Sequence, residues 1–305
     1  MSMTEKEKNP LLCNAETGIC GMMKEFNKPV IKPASPSVKP IKIVYYTDPI
    51  CSACWGIEPQ LRRLKLEYGH AFDIEYRMGG LLPNWDVMGE NLSTPSDVAN
   101  HWDEMSMYYD MPIDGDLWLE DPLHSSYPPS IAFKAAQLQS EEKAIVFLRK
   151  IRELLFLHKK NITKWEYISQ SASESGLNIE QLKTDYENKA KKSFQEDLLL
   201  AQKMGVRGFP AFTFTNQKGQ TDIVYGFRPY SSFEKAITKL APDVNKKTFK
   251  QDWESLFSIY PTLTTSEFAE LSSKSKDVAN QELEYLFHNN EIKMHQIRNG
   301  TLWFK

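Results

Sequence analysis

The spacing of apolar and polar positions changes several times along the chain, and each change marks an element. Ile41-Lys42-Ile43-Val44-Tyr45-Tyr46-Thr47 is apolar and β-branched and reads as a buried strand. Asp48-Pro49 breaks it with a turn. From Cys54 onward Trp55, Ile57, Leu61, Leu64 and Tyr68 recur at three- and four-residue steps, which predicts a helix. Phe72 to Met78 alternates as a second strand, ended by Gly79-Gly80 and Pro83-Asn84. Helical periodicity then runs from about Asp97 to Asn188, through Ile131/Ala135/Leu138, Ile145/Leu148/Ile151/Leu155 and Ile168/Ala172, with Pro128-Pro129 opening one helix. A further helix from Ala190 to Met204 leads into the turn Gly205-Val206-Arg207-Gly208-Phe209-Pro210 and an alternating strand to Phe214. Thr221 to Tyr225 is its partner strand and Tyr230 to Leu240 another helix. Strand, helix, strand, helical insertion, strand, strand, helix is an α/β order.

Both ends of the chain differ from this body. Residues 1–40 form an expected tail, with four prolines between Pro29 and Pro40 predicting an extended linker. Residues 242–305 form a second unit. Lys246 to Ile259 and Ser266 to Ser272 read as short helices, the second capped by Thr265, and Asp277 caps a longer one through Phe287. Two strand-like runs flanking Asn299-Gly300 predict a hairpin turning on that pair. Helix, helix, hairpin is similar to a winged helix.

Composition narrows the function classes. The 305 residues are 41% hydrophobic and 25% charged, as expected of a soluble protein with a sizeable core. A net charge of −3 offers no electrostatic case for nucleic acid or membrane as partner. No apolar run reaches the roughly 20 residues of a membrane span, and no leader-like segment follows Met1, so a cytoplasmic protein is expected. Residues 242–305 hold eight Lys/Arg against nine Asp/Glu, which favours a protein-docking role for that unit over phosphate binding.

The chemistry concentrates at Cys51-Ser52-Ala53-Cys54, where a strand ends and a helix begins. Unpaired N–H groups at a helix start favour an anion, so Cys51 is expected to ionise more easily than a free thiol. Thiolate is the reactive form, and the second cysteine of such a pair can resolve a mixed disulfide. Cys13 and Cys20 are a second pair, and three readings stay open for them: a tail with reduced thiols, a redox role as a loop disulfide or electron source for Cys51/Cys54, and metal binding. Zinc shared by all four cysteines is arithmetically possible, but a proline-rich spacer is a poor ligand frame, so no metal and no cofactor are assigned. The histidines are scattered, and no phosphate-binding glycine loop or Gly-x-Ser-x-Gly elbow is present. Ser125 to Ser130 reads as a cleft wall, and Trp102, Tyr108, Tyr109 and Trp118 as core aromatics, with the lining of a binding face as the other reading.

Asp48-Pro49-Ile50-Cys51-Ser52-Ala53-Cys54-Trp55, the turn Gly205 to Pro210 and the helical run between them resemble the DsbA family of thioredoxin-fold proteins. The resemblance covers about Pro40 to Leu240, and implies a thioredoxin-like domain at 41–241 with its helical insertion at about 84–190. It implies Cys51 as nucleophile, Cys54 as buried resolving thiol and Pro210 behind a cis bond facing the pair. Phe209 would offer backbone to an extended substrate, with Ser52, Ala53 and Trp55 beside it. Tyr45 stands where many relatives carry a buried acid, which leaves Asp48 as the nearest proton-transfer candidate; its other reading is a turn-forming Asp before proline. No histidine lies between the cysteines, so a strong oxidant is not expected. The same motif run, continued through Glu58-Pro59-Gln60-Leu61-Arg62-Arg63-Leu64, is similar to adaptors of the YjbH/SpxH kind, which present a regulator to the ClpXP protease. Two functions therefore follow as expectations. The first is a cytoplasmic thiol–disulfide oxidoreductase or isomerase acting on protein or small-molecule thiols; the second is a non-catalytic ClpXP adaptor.

Overall fold

The structure, a computed structural model, describes residues 9–21, 39–85 and 94–305. Most of the expected proline-rich linker lies outside the described residues. In chain order, a two-residue strand β1 (Cys20–Gly21) precedes the central strand β2 (Ile41–Thr47). Next come α1 (Ser52–Gly56), α2 (Glu58–Tyr68) and β3 (Phe72–Met78). The insertion holds α3 (Pro95–Tyr109), α4 (Leu117–Glu120), α5 (Tyr127–Gln137), α6 (Glu141–His158), α7 (Trp165–Glu174) and α8 (Ile179–Glu187). After it, α9 (Lys189–Lys203) leads into β4 (Gly208–Phe209), β5 (Ala211–Asn216), β6 (Thr221–Tyr225) and α10 (Tyr230–Leu240).

The main sheet has the order β3-β2-β5-β6, with β2 parallel to β3 and antiparallel to β5. Ile41, Ile43 and Tyr45 of β2 lie on one face and are fully buried, whereas Lys42 and Val44 on the other face are half-buried. The helix after the cysteine motif begins at Ser52 rather than Cys54, since Cys51 itself caps it. It also breaks at Ile57: Pro59 has no N–H to return to Trp55, and a second helix starts there.

Past α10 follow α11 (Trp253–Ile259), β7 (Thr262–Thr264), α12 (Thr265–Ser272), α13 (Lys276–His288), β8 (Lys293–Ile297) and β9 (Gly300–Phe304). These elements share a hydrophobic cluster of their own around Leu256, Phe268, Leu283 and Trp303, under a sheet of order β7-β9-β8. Four expectations are corrected. The first helix starts at Trp253, where Asp252 accepts the Ser255 N–H, and not at Lys246. Thr264, not Thr265, caps α12 in a reciprocal capping box with Glu267, and Ser275, not Asp277, caps α13. The hairpin turns on Arg298-Asn299, one residue earlier than Asn299-Gly300. The cause is tertiary: the Asn299 amide donates to Asp103 Oδ1 and to the Ile113 carbonyl, and Gly300 (φ 145°) lies against Pro112. The tip of the hairpin is docked on the insertion instead of standing in solvent.

Residues 9–21 correct the reading of a free tail. Leu11 and Cys20 are buried, β1 pairs with β4, and Cys13 is bonded to Cys20.

Candidate functional site

β2 delivers the chain to Asp48-Pro49 at the top of the sheet, and Cys51 stands where the helix starts. Its Sγ accepts the Cys54 N–H at 3.2 Å, so the sulfur takes the part an oxygen plays in an ordinary helix cap. Both sulfurs are 0% exposed. The expected easy ionisation of Cys51 is overturned: burial first, then its hydrogen bond to Cys54, raises its pKa well above the usual thiol value. Burial opposes ionisation of Cys54 too, but the hydrogen bond from Cys51, the Arg152 guanidinium and Thr47 outweigh it and lower that pKa. A full positive charge in a dry site outweighs the partial charge of a five-residue helix's first turn. Burial of Cys51 and the guanidinium beside Cys54 thus favour negative charge on Cys54 over Cys51.

Arg152, on α6, was not legible from its own neighbourhood in the sequence. It is 1% exposed; one Nη donates to Thr47 Oγ1 at 2.6 Å and to the Asp48 carbonyl at 3.2 Å, the other to Glu58 Oε1 at 2.9 Å. The helical insertion thus supplies the cation of the site.

Asp48 is buried as well. Its carboxylate accepts from the Ile50 N–H at 3.0 Å, the Leu81 N–H at 2.7 Å and the Ser126 hydroxyl at 2.9 Å. Burial nevertheless raises its pKa to about 6 against these bonds. Between about pH 4 and pH 6 the folded chain therefore holds a proton here that the unfolded chain has lost. This group's stabilising contribution is complete below the ordinary carboxyl value and is lost as pH rises through about 6. Replacing Asp48 by Asn should flatten that part of the stability profile, measured by chemical denaturation at a series of pH values. An unchanged slope would assign the titration elsewhere.

The Phe209–Pro210 bond is cis. The Phe209 ring packs so closely on Gly79 that a Cβ there would lie 1.8 Å from it. The Phe209 backbone is paired, but with Cys20 of the same chain. Ser52 faces the Cys13–Cys20 disulfide, its hydroxyl 3.1 Å from Cys13 Sγ and 3.7 Å from Cys20 Sγ. Ala53 is fully buried. Trp55 does not reach a binding surface: its Nε1 donates to the Pro112 carbonyl at 3.0 Å and Arg149 stacks on its ring at 4.4 Å. The structure thus gathers Asp48, Cys51, Ser52, Cys54, Phe209 and Pro210 with Cys13 and Cys20, but under cover. In their disulfide form Cys13 and Cys20 have no thiolate to give a metal, so the reading of a four-cysteine zinc site is not met. Of the four aromatics read as core, Trp102 and Trp118 are fully buried, whereas Tyr108 is 43% exposed on a groove of about 580 Å³ between α2, the end of α3 and α12.

A family profile described as thioredoxin matches residues 45–235. The chain is 31% identical over 302 residues to the ClpXP adapter protein SpxH of Halalkalibacterium halodurans, covering 97% of each chain. It is 32% identical over 306 residues to that of Shouchella clausii, covering 99% of each. Among solved structures it resembles the cytosolic disulfide reductase DsbM from Pseudomonas aeruginosa, with a TM-score of 0.54 and 21% identity over 66% of this chain and 100% of the other. That likeness establishes the fold. Among the described residues no helix is long and apolar enough to cross a membrane.

Proposed function

The chain belongs to the thioredoxin family and, on that DsbA-like fold, to the family of the SpxH adapter proteins, and we propose that it is itself an adaptor that hands a protein client to the ClpXP protease in the cytoplasm. One observation favours this over turnover of external disulfides. Cys51 is 0% exposed, and the edge beside Pro210 that an extended substrate would need is filled by β1. A redox enzyme whose first thiol and docking edge are both covered has nowhere to seat a substrate in this state. An adaptor on the same scaffold needs only contact area.

The 242–305 unit fits the reading. Its helix, strand, helix, helix, hairpin order supports reading it as a winged-helix-like unit, and its net acidic charge suits a protein partner. The test is reconstituted degradation: proteins captured by the chain are offered to ClpXP with and without it. The chain is expected to shorten their half-lives several-fold, and a Cys51→Ser/Cys54→Ser chain to do the same. If the double variant loses this effect along with small-disulfide reduction, thiol chemistry is the function and the adaptor reading fails.

A second reading, thiol–disulfide exchange, rests on the intact, unpaired Cys51/Cys54 thiols, with the Arg152 guanidinium favouring charge on Cys54. It predicts loss of insulin reduction in Cys51→Ser with the fold retained.

A further inference from the structure

The cis-proline edge is occupied by the chain itself, and the occupant carries a disulfide. β1 lies antiparallel on β4, with Cys20 opposite Phe209 and Gly21 opposite Gly208. This is the geometry of an extended peptide added to a sheet edge: main-chain hydrogen bonds fix its register, and the register fixes which side chain meets the site. The fit depends on missing side chains. A Cβ on Gly21 would lie 2.4 Å from the Arg207 carbonyl oxygen, and one on Gly208 would lie 2.4 Å from Ile19. A second anchor holds the loop: the Phe227 N–H donates to the Gly18 carbonyl at 2.8 Å and Arg228 to the Thr17 carbonyl at 3.1 Å. Cys20 is fully buried, and Cys13 nearly so. Both their sulfurs lie within 4 Å of the hydroxyl of Ser52, the residue next to Cys51.

We propose that the Cys13–Cys20 disulfide is an internal substrate of the Cys51/Cys54 pair, and that the two pairs exchange electrons within one chain. In the first step Cys51 passes its proton to Cys54 and attacks Cys20 Sγ. The Cys51–Cys20 bond forms, the Cys13–Cys20 bond breaks, and the electron pair leaves on Cys13 Sγ. The Ser52 hydroxyl, 3.1 Å from that sulfur, is placed to donate to the emerging thiolate. In the second step Cys54 gives its proton to Cys13 and attacks Cys51 Sγ. The Cys51–Cys54 bond forms and Cys20 leaves as a thiolate. Two electrons and one proton have moved from the active-site pair to Cys13/Cys20, with no outside oxidant. The reverse sequence returns them. Attack on Cys20 rather than Cys13 follows from the register, because Cys20 is the residue held on the backbone of Phe209. The proposal does not depend on the adaptor reading, since its test needs no client.

The test uses the full chain. Cys54→Ser blocks the second step, so the intermediate should accumulate. After alkylation of free thiols and digestion without reductant, peptide mapping is expected to find Cys20 joined to Cys51 and Cys13 alkylated. A second variant, Cys13→Ser/Cys54→Ser, leaves only Cys20 and Cys51. Under mild oxidation it is expected to lose both free thiols into one intramolecular disulfide. A Cys54→Ser chain that keeps only Cys13–Cys20, with Cys51 fully alkylated, overturns the exchange even if the double variant cross-links. Failure of both to join Cys20 to Cys51 overturns the juxtaposition as well.

Discussion

Replacing Cys13 and Cys20 by serine is expected to speed alkylation of Cys51 by up to about sixtyfold. Cys51 is fully buried and the 9–21 loop packs on its neighbour Ser52, so a reagent is expected to reach it when that loop lifts, at a rate that follows the population of that open state. The disulfide closes a short loop, its cysteines seven positions apart. By chain-entropy reasoning such a link limits the freedom the lifted segment can gain by about 2.5 kcal/mol. At 1.4 kcal/mol per factor of ten this sets the upper figure. Gly18 allows the same gate to be opened without touching sulfur. It has φ +64°, and a Cβ there would sit 2.6 Å from Phe227 Cβ, so Gly18→Ala should loosen the loop by strain and clash. Both variants should expose Cys51 to iodoacetamide faster than the parent chain, with circular dichroism unchanged. A rate within twofold of the parent in both would mean that this loop does not gate the thiol, and that another element covers it.

The covering loop also marks where the sequence stopped being informative. The order of strands and helices from Ile41 to Leu240 was legible because each element carries its own period, and because β2 reads as a buried strand from its residues alone. The cysteine motif and the Gly205–Pro210 turn were legible for the same local reason. The role of residues 9–21 was not. What holds them is a two-residue strand and a few glycines that matter only through what they approach, and neither leaves a periodic trace. Arg152 was hidden in the same way: on α6 it is one cation among several, and only the packing of that helix on the strand end brings it to Thr47 and Cys54. The Asn299-Gly300 signal misplaced the turn by one residue because two hydrogen bonds to the insertion outrank a local turn preference. The helix-start argument for Cys51 was sound as far as it went. Burial of Cys51 opposes it, and the buried guanidinium of Arg152 favours charge on Cys54 instead.

The largest stability effect is expected at Glu267, a residue that reads as no more than the third position of a capping box. It is fully buried and holds the C-terminal unit to the rest of the chain. Arg149 donates to its two oxygens at 2.7 and 2.9 Å, Arg62 Nε lies at 3.1 Å, and the Thr264 N–H donates at 2.7 Å. Arg62 and Arg149 come from α2 and α6, the helices behind the cysteine motif, and Arg149 is the residue stacked on Trp55. Removing the carboxylate leaves two nearly buried guanidinium groups side by side with less charge to neutralise them: Arg149 keeps Glu153 at 2.7 Å and Arg62 keeps Glu58 at 3.9 Å. Loss of one partner of a buried ion pair costs about 3–5 kcal/mol, a large part of the whole stability of a typical chain. Glu267→Ala should therefore lower the denaturation midpoint severely, and Glu267→Gln, which keeps the shape but not the charge, should recover only part of the loss. The pH dependence supplies a second readout. Burial raises the Glu267 pKa, but Arg149 and Arg62 more than offset it and leave it below the ordinary glutamate value. Its contribution is thus complete above that value and is lost as pH falls through the depressed folded one. The parent chain should lose stability on acidification in that window, and the Gln variant should lose less. A chain cut after Leu240 would leave the same two arginines without this carboxylate, so truncation mixes lost docking with lost stability and the point variants are the cleaner probe. A Glu267→Ala midpoint within about 1 kcal/mol of the parent would mean that water or rearranged side chains replace this carboxylate, and that the seam is held by its other contacts, such as Arg63 on Glu270 and Asn299 on Asp103 and Ile113.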